Sequence, residues 1–444
     1  MGKAHWIVGL LAALAHAGES KTVAKGEAGQ SIVQWIERAE KAGFTGAVLA
    51  ARDGQVIAAV GAGFAQGRTR NTPATLFEIA SLTKQFTAAA ALRLVDEGKL
   101  KLDAPMADYL PGIPEDCKAI TTRHLLQHTS GIPRSNARGA GTDLAAVLPS
   151  FLEGGPRHEP GKHWGYWNQG YALVSEIIAR AAGEPYTEYC RKALFQPAKL
   201  KTTLFTGDAA PEGVTVAIGQ SARGRPRSAL AHPYGEYGFQ YRGMGGVVSS
   251  VWDLWRWDRA LRGKLLREES KKQLFQPGLQ DYALGWYVLD KNGRRVHSHG
   301  GSVRGFVCQM RRYPDQDACV IVLCNRDDLQ PWMYADAVEQ MLFGEPLTVK
   351  LPTQADDATA KRLVGKYAHG RLGHRLRVWR EAGKLRAILN WKQGWVGNLV
   401  IGPDEAGTLV AFQGGKAYPV KLGEAEDGQV KSITIHRVQF DRVP

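Results

Sequence analysis

Cysteine is scarce in this chain, with five residues in 444: Cys117, Cys190, Cys308, Cys319 and Cys324. So small and odd a set implies no disulfide framework, and an apolar core has to hold the fold. Cys308 and Cys324 fall on the two expected arms of a hairpin around Pro314-Asp315-Gln316-Asp317. Their pairing stays open beside the simpler reading of buried free thiols. There is no Cys-x-x-Cys pattern, and His297-Ser298-His299 lacks further ligands at metal spacing, so neither a metal nor a cofactor is expected. Long apolar runs are missing as well. The one apolar stretch near the start, Trp6 to Ala15, is shorter than the roughly twenty residues that a membrane-spanning helix needs. Runs of like charge are also absent, which excludes a basic arm. No nucleic-acid module is legible, so no nucleic-acid partner is expected.

What is present fits a globular protein of two or three domains: 44% hydrophobic and 23% charged residues. Lysine and arginine number 57 against 43 aspartate and glutamate, for a net charge of +14 and a pI near 9.5. That excess would favour anionic polymers such as cell-wall material, but its even spread is better explained by solubility. Lys3, the apolar stretch and the small-residue pattern Ala15-His16-Ala17 read as a signal peptide over residues 1–17. A periplasmic or secreted protein without a stable membrane span follows as an expectation.

Periodicity predicts a helix over Ser31 to Ala42, then strands Gly46 to Ala51 and Val56 to Ala62 joined by an Asp53-Gly54 hairpin turn. From Ser81 to about Gly245 the pattern is mainly helical, including Asp143 to Leu152 and Gly170 to Ala182. Strands return at Leu284 to Leu289, Arg294 to Ser298, Phe306 to Tyr313 and Ala318 to Cys324, and a helix closes at Trp332 to Leu342. Residues 28–343 thus read as one α/β (α+β) domain: an antiparallel sheet flanked by helices with an inserted all-helical lobe. Residues 344–361 read as a linker. Residues 362–444 alternate short apolar strands with glycine turns, the pattern of a small all-β domain, barrel-like in form.

Ser81-Leu82-Thr83-Lys84 stands at the head of the Ala-rich run Gln85 to Val95. On a helix, positions i and i+3 share a face, so the Lys84 amine can take the Ser81 proton if desolvation keeps it neutral. A helix start also aims free backbone N–H groups and the positive dipole end at the reacting centre. By itself the tetrad is common. Its company is specific: Tyr166-Trp167-Asn168, Gly243-Met244-Gly245-Gly246-Val247-Val248-Ser249, and His299-Gly300-Gly301 followed by Gly305-Phe306.

In this order the segments resemble the penicillin-recognising serine hydrolases, the superfamily of class C β-lactamases, DD-peptidases, D-aminopeptidases and related esterases. The resemblance covers most of residues 30 to 345, including Phe44-Thr45-Gly46-Ala47-Val48-Leu49 and Leu125-Leu126-Gln127-His128-Thr129-Ser130-Gly131-Ile132. It implies the β-lactamase/transpeptidase-like fold and a catalytic set of Ser81 as nucleophile, Lys84 as its assistant and Tyr166 as proton carrier, its hydroxyl acidified by the lysine ammonium. It further implies that Asn168 orients Lys84 or binds the substrate amide, and that His299, Gly301 and Ser302 form the substrate-binding strand. The N–H groups of Ser81 and Ser302 then make the oxyanion hole.

The chain departs from the family where many members carry Lys-Thr-Gly. Histidine is mostly neutral at pH 7, so His299 offers a substrate carboxylate less than a lysine would. Gly300 removes the hydroxyl that normally follows, and Arg304 is the candidate replacement cation. Gly300-Gly301-Ser302-Val303-Arg304 only begins like a nucleophile elbow, because Arg304 stands where the closing glycine belongs. Tyr234, Tyr237, Phe239 and Tyr241 either line the pocket or pack the lobe.

The expected function is a serine hydrolase, esterase-like or peptidase-like, acting through a Ser81 acyl-enzyme on small esters or amides, with D-amino-acid peptides among the candidates. A cell-wall DD-peptidase, penicillin-binding protein or β-lactamase is the alternative within the class. A non-catalytic binding protein on the same scaffold, or a general binder of anionic polymers, is the alternative outside it. The expected partner is a small-molecule or peptide substrate, and homo-oligomerisation is left open.

Overall fold

The computed structural model describes residues 19–133, 141–221, 224–381, 384–390, 396–404, 406–413, 415–435 and 437–444. The expected signal peptide, residues 1–17, lies outside them. The chain forms two compact units, one from the segment ending at Ile36 together with Thr45–Leu342, the other from Glu37–Phe44 and Phe343–Pro444.

The first unit is built on a seven-stranded antiparallel sheet. In chain order its strands are β1 (Val23–Ala24), β2 (Gly46–Arg52), β3 (Gln55–Ala62), β4 (Tyr287–Lys291), β5 (Arg294–Val303), β6 (Phe306–Tyr313) and β7 (Ala318–Cys324). Across the sheet they run β1-β3-β2-β7-β6-β5-β4. The central β7, Ala-Cys-Val-Ile-Val-Leu-Cys, is buried along its whole length, as continuous apolar sequence demands of a strand covered on both faces. Asp53 and Gly54 both take positive φ, +51° and +71°, the backbone of a two-residue hairpin turn, as the Asp-Gly pair predicts. The expected strand Arg294 to Ser298 runs on to Val303, and the expected Leu284 to Leu289 is shifted to Tyr287–Lys291. Pairing of β4 with β5 therefore stops at Tyr287↔Ser298. His299–Val303 keeps β6 on one side and has no strand partner on the other among the described residues.

Four longer helices matter here: α1 (Gly26–Lys41), α2 (Thr83–Asp96), α3 (Asn168–Ala182) and α4 (Pro331–Leu342). The expected first helix, Ser31 to Ala42, starts five residues early. α2 is buried on nearly every side; alanines 88–91 leave room for close neighbours, and Phe86 stacks on Trp257 at 4.3 Å. The lobe between Ser81 and Gly245 is helical as expected, with the added hairpin Ile218–Ser221 and Gly224–Ser228. A small second sheet sets the site. Val247–Ser249 lies between Leu204–Phe205 and Phe77–Glu78, with Val248 opposite Glu78. The strand leading into Ser81 is thereby paired to the strand leaving the Gly243–Gly246 turn.

All five cysteines are free and buried. The β6–β7 register sets Cys308 opposite Leu323 and Cys324 opposite Val307, so the hairpin cysteines do not bridge.

The second unit holds a nine-stranded antiparallel sheet: β8 (Gly365–His369), β9 (His374–Glu381), β10 (Lys384–Asn390), β11 (Val396–Pro403), β12 (Leu409–Gln413), β13 (Lys416–Pro419), β14 (Lys421–Leu422), β15 (Ser432–Ile435) and β16 (Val438–Val443). The order β13-β12-β11-β10-β9-β8-β16-β15-β14 puts two consecutive strands of the chain at the two edges, a nearly closed barrel. Leu376, Val378, Leu385, Ala387, Leu389 and Ile433 alternate inward as its core. Inside the segment read as a linker, Asp356 caps a helix over Asp357–Leu363 by accepting from Thr359 N–H at 2.7 Å.

Candidate functional site

Ser81 lies in a 3₁₀ turn, Ala80–Leu82, and α2 proper begins at Thr83. This differs from the expected position in the first α-helical turn. Ala80 takes φ +46°, a left-handed conformation that costs an alanine about 1–2 kcal/mol. Surrounding structure enforces it: Ile79 N–H donates to Val247 O at 3.0 Å and Leu82 N–H returns to Ile79 O at 3.0 Å. The result is a half-buried serine on a sharp turn between a strand and a helix.

Lys84 is completely buried. Its Nζ lies 2.8 Å from Asn168 Oδ1, 3.1 Å from Met244 O and 3.2 Å from Ser81 Oγ. Burial drives its pKa well below the ordinary lysine value, with no carboxylate acting against the shift. A neutral amine has two N–H groups and one lone pair. Met244 O and Asn168 Oδ1 can only accept, so they take the two N–H groups, and the lone pair is left for the Ser81 hydroxyl. The arrangement presents a base to the nucleophile.

Tyr166 sits beside this amine, its ring centre 4.9 Å from Lys84 Nζ. Burial disfavours the Lys84 ammonium that the resemblance invokes to acidify Tyr166. Asn168 opens α3, and its Oδ1 accepts from Lys84 Nζ. The Met244 carbonyl is a ligand of the lysine that the sequence reading missed. The glycines around it were the available signal, since they mark a turn where backbone, not side chain, meets its neighbours.

His299 is buried with both ring nitrogens engaged. Nδ1 lies 2.6 Å from Gly300 O, and Nε2 lies 3.1 Å from the Tyr282 hydroxyl. A carbonyl only accepts, so Nδ1 carries the proton and Nε2 accepts from Tyr282. Burial is the main cause of a pKa lowered to about 3, and any charge on Lys84 acts in the same direction. The expected role of His299 as a direct substrate ligand therefore changes: its ring supplies neither a cation nor a free donor. Around it stand Tyr287 at 5.7 Å, Tyr282 at 5.8 Å and Tyr166 at 6.3 Å, with Trp164 6.5 Å from Tyr287. Tyr282 and Tyr287 were not singled out from sequence. Of the aromatics that were, Phe239 and Tyr241 are buried packing residues and Tyr234 is exposed. Arg304 is exposed and lies against Gly224 of the added hairpin.

Gly301 faces the nucleophile. A side chain there would come within 2.5 Å of Ile79 O, 2.6 Å of Cys308 Sγ and 3.1 Å of Ser81 N. Since the first of these is backbone, Gly301→Ala forces β5 away from the Ser81 turn. With the Ser81 and Ser302 N–H groups as the oxyanion hole, the expected result is a fall in kcat of about 100-fold or more. Kinetics on the folded variant with an activated ester check this, and unchanged kcat sinks that placement. Ser302, the other proposed donor, is exposed on β5 one residue further.

Among the described residues no group of three or more His, Cys, Asp or Glu could hold a metal ion, and no helix is long and apolar enough to cross a membrane.

Comparison with known protein families matches residues 32–340 to the family described as Beta-lactamase. Penicillin-binding protein 4* of Bacillus subtilis (strain 168) is 31% identical over 364 residues, covering 74% of this chain and 80% of that protein. A D-aminopeptidase of Brucella anthropi is 29% identical over 306 residues, covering 63% of this chain and 56% of that one. Among solved structures, the octameric penicillin-binding protein homologue from Pyrococcus abyssi superposes with a TM-score of 0.66 at 22% identity, covering 93% of this chain and 99% of that one. The D-amino acid amidase from Ochrobactrum anthropi SV3, complexed with D-phenylalanine, superposes with 0.61 at 22% identity, covering 72% and 98%.

Proposed function

The chain belongs to the Beta-lactamase family of serine hydrolases, and from that premise we propose that Ser81 forms an acyl-enzyme with small, uncharged esters or amides. The observation that carries the reading is the buried Lys84 amine, held by Asn168 and Met244 with Ser81 Oγ at 3.2 Å. Ser81 Oγ attacks the substrate carbonyl while the Lys84 lone pair takes its proton. The backbone N–H groups of Ser81 and Ser302 stabilise the oxyanion; as the carbonyl reforms, Tyr166 hands its proton to the leaving group and takes the one held by Lys84, which leaves the amine neutral again. Water then attacks the acyl-enzyme by the same route and frees Ser81.

The uncharged substrate class rests on His299. Where a lysine would offer a permanent cation, this site has a neutral ring with both nitrogens occupied, so a substrate carboxylate finds no partner there. The open edge of His299–Val303 favours an extended amide chain, which can add to it as a strand. D-amino-acid derivatives are drawn into the proposal by the D-aminopeptidase relative. A second reading, penicillin binding, is favoured by the 31% identity to penicillin-binding protein 4*.

Intact-protein mass after brief exposure to an activated short-chain ester, and in parallel to a penicillin, tests both. Wild type is expected to gain the acyl mass from the ester, and Ser81→Ala to gain nothing. Hydrolysis retained by purified Ser81→Ala overturns the nucleophile, while a lasting penicillin adduct moves the substrate class to carboxylated cell-wall peptides.

A further inference from the structure

Three residues before Ser81, Glu78 is a carboxylate with no exposed side-chain surface. One oxygen accepts from the Arg227 guanidinium and the other from the Tyr241 hydroxyl. A buried carboxylate is costly to keep unless its oxygens are satisfied, and here each has a donor. These two donors belong to segments that reach separate parts of the site.

Arg227 comes from the hairpin strand Gly224–Ser228, and the nitrogen that holds Glu78 also lies 3.1 Å from Arg304 O, two residues beyond Ser302. Its other terminal nitrogen donates to Ala231 O at 2.6 Å, which fixes the guanidinium in place. Tyr241 leads to the lysine. Its ring fills the space where a side chain on Gly245 would lie, and its carbonyl accepts from Gly245 N–H at 3.0 Å. The Gly245 carbonyl is in turn held by the Tyr237 hydroxyl at 2.8 Å. Met244, whose carbonyl holds Lys84, lies directly before Gly245. The backbone of Glu78 itself pairs with Val248.

We propose that Glu78 is a positioning residue for acyl transfer, locking the Ser81 turn to the Met244 carbonyl through Tyr241 and to the backbone beyond Ser302 through Arg227. The nucleophile with its base, the Met244 carbonyl that holds that base, and the second oxyanion donor come from three separate stretches of chain, and this carboxylate is the point at which all three are tied. The inference rests on the reading of Ser81 as nucleophile.

The test compares Glu78→Gln, which keeps the size and loses the charge, with Glu78→Asp, which keeps the charge and withdraws it by one methylene, and with Tyr241→Phe, which leaves the Arg227 pair intact. Active sites are counted by the burst of acyl-enzyme from an activated ester, so misfolded protein drops out, and thermal unfolding is recorded separately. Per titrated site, acylation is expected to fall about 10- to 100-fold in both Glu78 variants with unchanged apparent affinity, because misplacement of a catalytic group by about 1 Å costs that much. Tyr241→Phe is expected to slow acylation less, and its effect should not add to that of Glu78→Gln. Wild-type acylation per site in Glu78→Gln and Glu78→Asp, with only a lower melting temperature, would show a stabilising ion pair and overturn the proposal. Should neither Glu78 variant fold, wild-type acylation in Tyr241→Phe overturns it. Turnover retained by Ser81→Ala is a separate failure, that of the nucleophile.

Discussion

Replacing Lys84 by methionine is expected to stop acyl transfer and to stabilise the protein at the same time. Activity should fall because the base is gone: positioned general bases contribute about 100- to 10,000-fold, so kcat/KM drops by that order. Stability should rise because the amine is buried without a counter-charge and its pKa is held well below that of a free lysine. Between its lowered folded-state pKa and 10.5 the unfolded chain binds a proton that the folded chain lacks, so over that range this group destabilises the fold. Its penalty shrinks as pH rises toward 10.5 and vanishes once the unfolded lysine is also neutral. Methionine fills similar space with nothing to desolvate. Against the gain stand two lost hydrogen bonds, to Asn168, which is half-buried and keeps access to water, and to Met244 O, at about 1 kcal/mol for the latter. A net gain of about 1 kcal/mol, with a melting temperature a few degrees higher, is the expected balance. The sharper readout is the slope of unfolding free energy between neutral pH and pH 10. Wild type should gain stability by up to about 1.4 kcal/mol per pH unit over part of that range, and Lys84→Met should lose this component. Equal slopes, or a variant that still acylates, would refute the neutral-base account.

The parts of this protein that could be read from sequence are those in which the chain meets itself locally. The Asp53-Gly54 hairpin, the apolar strands Phe306–Tyr313 and Ala318–Cys324, and the Ser-x-x-Lys spacing each announce themselves within a few residues. Apolar alternation carries the strand only from Arg294 to Ser298, and His299-Gly300-Gly301 joins it through the resemblance alone, because paired glycines carry no strand pattern. Glycine is tolerated there because the Ser81 turn packs against it, a contact made across more than 200 residues. Sequence placed Ser81 inside a helix because the Ala-rich run begins at once. The strained Ala80 and the 3₁₀ turn arise from pairing with Val247, which no local pattern encodes.

The same division runs through the candidate site. The gathering of side chains at fixed spacing, Ser81 with Lys84 and Tyr166 with Asn168, was legible. Roles filled by backbone or by distant partners were not: the Met244 carbonyl on Lys84, Tyr282 on His299, Tyr241 and Arg227 on Glu78. His299 shows why this matters for function. Its identity suggested a weak carboxylate ligand, whereas its partners make it a buried, neutral support of the β5 edge.

Acid should therefore unfold the hydrolase unit through its histidines well above pH 3. His299 and His297 both have pKa values lowered to about 3. For His297 the causes are burial first and then the cations Arg312, Arg295 and Arg262; Arg312 sits directly opposite it on β6, and its ring stacks on Phe275 at 4.2 Å. The carboxylates near those cations are already paired to them: Asp258 to Arg312 and Arg262, Asp317 to Arg262 and Asp315 to Arg295. Between pH 6.5 and 3 the unfolded chain takes up a proton at each histidine and the folded chain does not. Stability thus falls as pH falls, by about 1.4 kcal/mol per pH unit for each ring. Across the window that amounts to roughly 3–5 kcal/mol per histidine, and the two together rival the 5–15 kcal/mol typical of a whole domain. His297 allows a clean test because it lies outside the proposed chemistry and its Nδ1 has no hydrogen-bond partner among the described residues. His297→Phe keeps a ring on Phe275 and removes one titrating group. Its acid midpoint should move to lower pH and its slope of stability against pH should lose close to one proton, with activity at pH 7 retained. Superimposable acid transitions for variant and wild type would show that His297 is protonated in the folded state, and that the burial and arginines around it do not exclude the charge.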